Sequence, residues 1–237
     1  MDGKPEIVVI NPNTTAAMTD RIRVVAAEAA GDRLDLNVLN PEHGPVSIEG
    51  YYDEALSLAG LLEVVSSFPK ADGFVIACFD DTGLDAARCA TAAPVVGIGE
   101  AAYHMASMIA NKFGVVTTLS RSVPALEHNL VRYGLAARCS GVRASDIPVL
   151  ELETGNGDAL ARINTEIRNA IEVDKAEAIV LGCAGMSDLA AHLGQEHQVP
   201  ILDGISCAVR LVESMVALGL ENSKIGGYAW PRMKFSS

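Results

Sequence analysis

Two cysteines occupy matching places in this chain. Phe74-Val75-Ile76-Ala77-Cys78-Phe79-Asp80-Asp81-Thr82-Gly83 and Ile179-Val180-Leu181-Gly182-Cys183-Ala184-Gly185-Met186-Ser187 each run from an apolar strand pattern into a thiol and then towards a helix. A thiol between a strand end and a helix N-terminus faces unpaired backbone N–H groups, which favour an anion and lower its pKa from about 8.5. A reactive thiolate is therefore expected at both. A lone cysteine in such a place is ordinarily a small hydrophobe that ends a core strand, but repetition at equivalent places argues for chemistry. Two such groups on opposite sides of a substrate suit racemisation at an acidic carbon. A base removes the proton from one face, an acid returns one to the other, and the roles reverse for the other enantiomer. Thiol and thiolate serve both roles, and the carbanion beside a carbonyl is held by N–H and hydroxyl donors in a water-poor cleft. No metal or pyridoxal cofactor is then required.

The elements that position these thiols are legible from periodicity. Glu6–Ile10 reads as a strand, the loop Asn11-Pro12-Asn13-Thr14-Thr15 follows, and Ala16–Ala30 reads as a helix. Leu34–Leu39 is a second strand. The Gly- and Pro-punctuated segment 40–50 is long enough to form a lid or pocket wall. Helical spacing at Glu54–Phe68, a strand at Gly73–Ala77, a helix at Leu84–Ala92 and a strand at Pro94–Ile98 complete the first half. The second half repeats the order with strands at 114–116, 178–181 and 200–202 and helices at 123–133, 159–172 and 188–193. Asn11 and Thr117 are 106 residues apart, Cys78 and Cys183 are 105 apart, and Pro94 and Pro200 are 106 apart. That offset marks an internal duplication. The fold expected is α/β: two similar lobes, each a parallel sheet flanked by helices, related by a pseudo-twofold axis, with the active site in the cleft between them. Ligands in such sheets bind beyond the carboxyl ends of strands, where Asn11, Cys78, Thr117 and Cys183 lie. Helices over 100–112 and 205–220 are expected to cross between lobes. This assigns residues 1–99 and 206–237 to the first lobe and 100–205 to the second.

Composition narrows the partners. The chain has 237 residues, 49% apolar and 20% charged, with a net charge of −12. Its mean hydropathy of +0.25 excludes disorder for the bulk of it. So acidic a protein lacks the positive field that nucleic acid or an anionic membrane requires. Met1-Asp2-Gly3-Lys4-Pro5 has no apolar leader pattern, and a cytoplasmic protein is expected. Five cysteines, an odd number without a C-x-x-C pair, read as free thiols; Cys89, Cys139 and Cys207, away from strand ends, read as packing residues or exposed thiols. Gly97-Ile98-Gly99-Glu100-Ala101-Ala102 fits G-x-G-x-x-A, but the acidic residue of a dinucleotide site is missing about 20 positions on. Asp80-Asp81 reads as a helix cap or surface charge, and the scattered histidines lack metal-ligand spacing, so no metal site is expected.

Five ordered motifs, Asn11–Thr15, Gly44–Gly50, Val75–Asp81, Val115–Ser120 and Val180–Met186, span nearly the whole chain. Together they resemble the hydantoin racemase and allantoin racemase family of the aspartate/glutamate racemase superfamily. The resemblance implies a cofactor-independent, two-lobed homo-oligomer in which Cys78 and Cys183 flank C5 of a cyclic ureide substrate. It implies donors and acceptors for the ring from Asn11, Thr117, Thr118 and the backbone at Gly182 and Ala184, and contacts from Ile48 and Phe79 to the 5-substituent. For Asn11, Asn13 and Thr14 helix capping is the rival reading, and for Ile48 and Phe79 it is core packing. Amino-acid racemases normally follow the first thiol with Asn-Thr or Asn-Ser, which handle a carboxylate. Phe79-Asp80 stands there instead, favouring a ring or an apolar substituent. The expected activity is interconversion of D- and L-5-monosubstituted hydantoins. Allantoin racemisation is the alternative, an amino-acid racemase comes next, and a small-molecule binding protein is the reading outside catalysis.

Overall fold

The structure, a computed structural model, describes residues 3–149, 151 and 157–232. Among the described residues eight strands, most of them short β-branched runs, form two parallel sheets. β1 (Glu6–Ile10), β2 (Asp35–Leu39), β3 (Gly73–Ile76) and β4 (Val95–Gly97) lie in the order β2-β1-β3-β4. β5 (Phe113–Thr117), β6 (Cys139–Ala144), β7 (Ala178–Gly182) and β8 (Ile201–Asp203) lie in the order β6-β5-β7-β8. The same order in both sheets matches the repeat read from the sequence. The helices are α1 (Ala16–Ala30), α2 (Tyr51–Ser67), α3 (Leu84–Ala90), α4 (Ile98–Ile109), α5 (Val123–Arg132), α6 (Gly157–Glu172), α7 (Ala190–His197) and α8 (Gly204–Ala217).

Strand periodicity sorts the core into three layers. Along β1 and β3, Ile7, Val9 and Val75 face a continuous core that also holds Val115 and Val180 of the second sheet; Val8, Ile10, Phe74 and Ile76 face outward against α2 and α3. The outer face of the second sheet packs Ile163 and Ile167 of α6 against Val116, Ile179 and Leu181. Full burial of each such side chain contributes about 1.5–3 kcal/mol. α4 leaves the first sheet and packs against β7, while α8 returns to pack on α1, β3 and β4. The middle layer thus clamps the lobes together. No helix among the described residues is long and apolar enough to cross a membrane.

The sequence reading missed β6. Cys139-Ser140-Gly141-Val142-Arg143-Ala144 has no apolar run, all six residues are half-buried at a sheet edge, and the register slips between Phe113 and Gly114. The offset could have found it, because β2 and β6 are separated by about the same interval as the thiols. After Cys183 the chain forms a 3-10 helix, Ala184–Leu189, before α7 begins.

Candidate active site

Parallel pairing brings the strand ends that carry chemistry into one place. β1 and β3 are adjacent, with Ile10 opposite Ile76, and β5 and β7 are adjacent, with Thr117 opposite Gly182. The loops leaving these four strands meet across the cleft, at the point in each sheet where the strand order changes direction. They border a partly open cavity, and Cys78 and Cys183 both line it. Ile48, Phe79, Thr117, Thr118, Gly182 and Ala184 line it too.

Asn11 does not. It is fully buried, its backbone N–H still donates to Leu39 O (2.9 Å), and its side-chain amide serves the loop behind the cavity. Its Nδ2 donates to Asn13 Oδ1 (3.0 Å) and Thr19 Oγ1 (3.0 Å), and its Oδ1 accepts from Asn13 N (3.3 Å). The residue that this scaffold presents to the cavity is Asn13, whose Oδ1 also accepts from Thr15 N (2.9 Å). Met18, Ala77, Asp80, Ser122 and Val149 complete the lining. Sequence reasoning had no handle on Met18 or Val149, whose types carry no chemical signal.

Segment 40–50 forms a wall fastened to both lobes. Thr14 N donates to Pro45 O (2.9 Å), Thr15 Oγ1 donates to Val46 O (2.6 Å), and Glu49 Oε1 accepts from Val149 N (3.3 Å). Ile48 is thereby held against the cavity. Phe79 meets the cavity with one side and Tyr103 with the other, edge to face at 5.4 Å and 88°. The Thr117 hydroxyl donates to Gly182 O (2.8 Å), which leaves its oxygen as an acceptor. The Thr118 side chain makes no hydrogen bond among the described residues and remains free to donate.

The thiols differ from expectation in one respect. Donors are present: Asp80 N–H and the Thr82 side-chain hydroxyl (3.4 Å) point at the Cys78 sulfur, and Gly185 N–H points at that of Cys183. Each favours the thiolate, as the sequence suggested. Burial outweighs them. It pushes the Cys78 thiol well above the usual range, with the Asp80 charge adding to it, and Cys183 up to about 12, with Asp80 and Glu49 adding to it.

The Asp80-Asp81 pair is not surface charge. Asp81 is buried, adopts a left-handed backbone (φ 53°), and caps α4 from a distant turn. Its carboxylate accepts from Gly99 N (2.9 Å), Glu100 N (2.7 Å) and the Tyr133 hydroxyl (2.7 Å). A Cβ on Gly97 would sit 2.0 Å from Asp81 Oδ1, and one on Gly99 would sit 2.4 Å from Phe79 O. The G-x-G pattern that imitates a dinucleotide fingerprint is therefore the cradle for this carboxylate. Burial pushes both Asp80 and Asp81 up to about 7.

Residues 7–212 match the Asp/Glu/Hydantoin racemase family. The chain belongs to that family. It is 44% identical over 230 residues to a hydantoin racemase of Rhizobium meliloti, covering 96% of this chain and 95% of the relative. A hydantoin racemase of Pseudomonas sp. (strain NS671) is 42% identical over 231 residues, 97% of this chain and 93% of the relative. Among solved structures, an allantoin racemase from Klebsiella pneumoniae superposes with a TM-score of 0.95 at 45% identity, covering 99% of this chain and 96% of that one. The two-lobed α/β fold is thus that of a racemase family.

Proposed function

We propose that this chain racemises 5-monosubstituted hydantoins by moving the C5 proton between Cys78 and Cys183. The observation that carries the reading is the placement of both thiols on one cavity, each after the equivalent strand of its sheet. The C5–H bond of a hydantoin lies beside a carbonyl. One cysteine, as thiolate, takes the proton; the electron pair passes onto the C4 carbonyl oxygen as an enolate; the other cysteine, as thiol, protonates the opposite face. Nothing is oxidised or reduced. The Thr118 hydroxyl and the backbone N–H groups at Ala184 and beyond Cys78 donate to the ring oxygens, while Thr117 Oγ1, Gly182 and Asn13 accept from or orient the ring N–H groups. Ile48, Phe79, Met18 and Val149 form the surface met by the 5-substituent, and that apolar wall favours hydrocarbon substituents.

A second reading, allantoin as substrate, rests on the likeness to the allantoin racemase structures and on the polar Asn13, Asp80 and Ser122 in the same cavity. Both readings keep the division of the chain into residues 1–99 with 206–237 and residues 100–205, with α4 and α8 packed between the lobes. The deciding experiment follows optical rotation and C5 deuterium incorporation for single-enantiomer 5-benzylhydantoin and allantoin in D₂O with reductant, corrected for the uncatalysed rate. Loss of rotation with one deuterium gained, faster for 5-benzylhydantoin, supports the first reading. A faster allantoin reaction selects the second, and no enhancement with either rejects both.

A further inference from the structure

Two half-buried thiols leave a question of charge. The reaction needs one thiolate, yet burial favours the neutral form of both, and neither sulfur has a cationic or imidazole neighbour among the groups acting on it. Asp80 is the ionisable side chain that shares the cavity with them, and its charge acts on Cys78 and Cys183 alike. Its backbone carbonyl is fixed by Asn129 Nδ2 (2.8 Å), whereas its carboxylate makes no hydrogen bond among the described residues. The same residue also lines an open groove outside the cavity, with Tyr51, Glu54, Asn129 and Arg132. Asp80 therefore stands between the thiols and solvent.

We propose that Asp80 is a proton-transfer partner of both thiols, storing the single negative charge of the empty cavity and handing it to whichever cysteine must act as base. This rests on the reading of the cavity as a two-thiol racemase site. In the step, the S–H bond of one cysteine breaks, its electron pair stays on sulfur, and the proton forms an O–H bond on the Asp80 carboxylate. The reverse transfer after product release restores the resting state. Because both thiols feel the same carboxylate, one group resets the site in either direction, and exchange with water runs through the groove. The groups facing Asp80 are Glu54 from α2, Asp81 in its own turn, Tyr103 from α4 and the two thiols after β3 and β7, with Tyr51 of α2 and Arg132 of α5 lining the same groove. Burial, and after it the charges of Glu54 and Asp81, keep its proton affinity high enough for this exchange near neutral pH.

The test compares the wild-type protein with Asp80→Asn on single-enantiomer 5-benzylhydantoin, across pH 5.5–9. It also measures iodoacetamide alkylation of the Cys78 and Cys183 peptides by mass spectrometry. Removing a negative neighbour makes both thiols easier to ionise, so alkylation is expected to speed up while kcat falls at least tenfold and the acid limb near pH 7 disappears. Those opposite directions separate a relay from a repulsive bystander. An Asp80→Asn protein whose kcat stays within twofold, or rises with the alkylation rate, overturns the proposal. Glu54→Gln supplies a second readout should Asp80→Asn fold poorly. Loss of that like charge is expected to move the acid limb to lower pH, and an unmoved limb overturns the relay. A wild-type protein that introduces no deuterium into the hydantoin overturns the substrate reading and the relay with it, whereas an active wild type with an unaltered Asp80→Asn overturns the relay alone.

Discussion

Tyr103 and Tyr133 are neighbours, with ring centroids 6.3 Å apart, yet deleting their hydroxyls is expected to have opposite effects. The Tyr133 hydroxyl donates to Asp81 Oδ2 at 2.7 Å and joins α5 to the turn that carries Cys78. Tyr103 is fully buried, and its hydroxyl has no partner among the described residues. Above pH 7, where the Asp81 carboxyl is ionised, a hydrogen bond to a charged group contributes about 1.5–3 kcal/mol. At roughly 2–4 °C per kcal/mol for a chain of this size, Tyr133→Phe is expected to lower Tm by about 3–12 °C. An unpaired buried hydroxyl costs about 1–3 kcal/mol, part of which the Phe79 and Phe113 contacts already offset. Tyr103→Phe keeps those ring contacts and removes the unpaired group, so Tm is expected to hold or rise by about 2–4 °C. Calorimetry and urea titration, with unchanged m-values, measure both. Two shifts of the same sign, or a neutral Tyr133→Phe, refute the account of Asp81 as an acceptor held between lobes.

Other perturbations reach the site more directly. Cys78→Ser and Cys183→Ser are each expected to cut racemisation by about 10²–10⁴, while one of the two still exchanges the C5 hydrogen of a single enantiomer with D₂O; near-normal racemisation in either variant contradicts the two-thiol mechanism. Gly97→Ala places a methyl 2.0 Å from Asp81 Oδ1, so it is expected to destabilise the fold by at least about 2 kcal/mol and to lower kcat, read by urea denaturation and initial rates. Because burial raises the Asp80 carboxyl to about 7, the folded chain holds a proton that the unfolded chain releases near 4. That contribution to stability is full below pH 4 and is lost as pH rises through 7, at no more than about 1.4 kcal/mol per unit. Asp80→Asn is expected to remove that slope from the difference between melting curves at pH 4.5 and 8, and parallel curves for the two proteins contradict it.

Much of this was legible because strand ends and an internal offset are written in residue types. The thiols, the strands before them and the duplication follow from short β-branched runs and from one interval near 105 residues. What the sequence concealed was mostly a matter of partners distant in the chain. Asn11 has the type of a substrate donor, but its amide is consumed by Asn13 and Thr19, and only the folded loop shows that Asn13 takes the place beside the cavity. The G-x-G near residue 97 could not reveal its purpose without Asp81, which reaches it from a separate turn. Thiol acidity was misjudged for a similar reason: local backbone donors are visible in sequence, whereas the desolvation that exceeds them belongs to the folded cleft.

Duplication of the frame does not make the two halves of the reaction alike. The Cys78 sulfur accepts from Thr82 Oγ1 and Asp80 N–H and has Asp80 and Glu54 as acidic neighbours; the Cys183 sulfur accepts from Gly185 N–H and has Asp80 and Glu49. Thiolate formation at the two positions therefore differs in free energy, and under the proposed two-thiol mechanism so do the barriers to removing a proton from the two faces. Thermodynamics limits how that asymmetry can appear. Enantiomers have equal free energy in water, so kcat/KM for the two directions must agree, whereas kcat and KM separately are free to differ. The expected outcome with D- and L-5-benzylhydantoin is unequal kcat and unequal KM whose quotients coincide within error. Progress curves from both enantiomers, followed to zero rotation, measure all four constants. Equal kcat with equal KM would show that the unlike surroundings of Cys78 and Cys183 have no kinetic consequence. Unequal quotients would show that the chain does something to one enantiomer besides inverting C5.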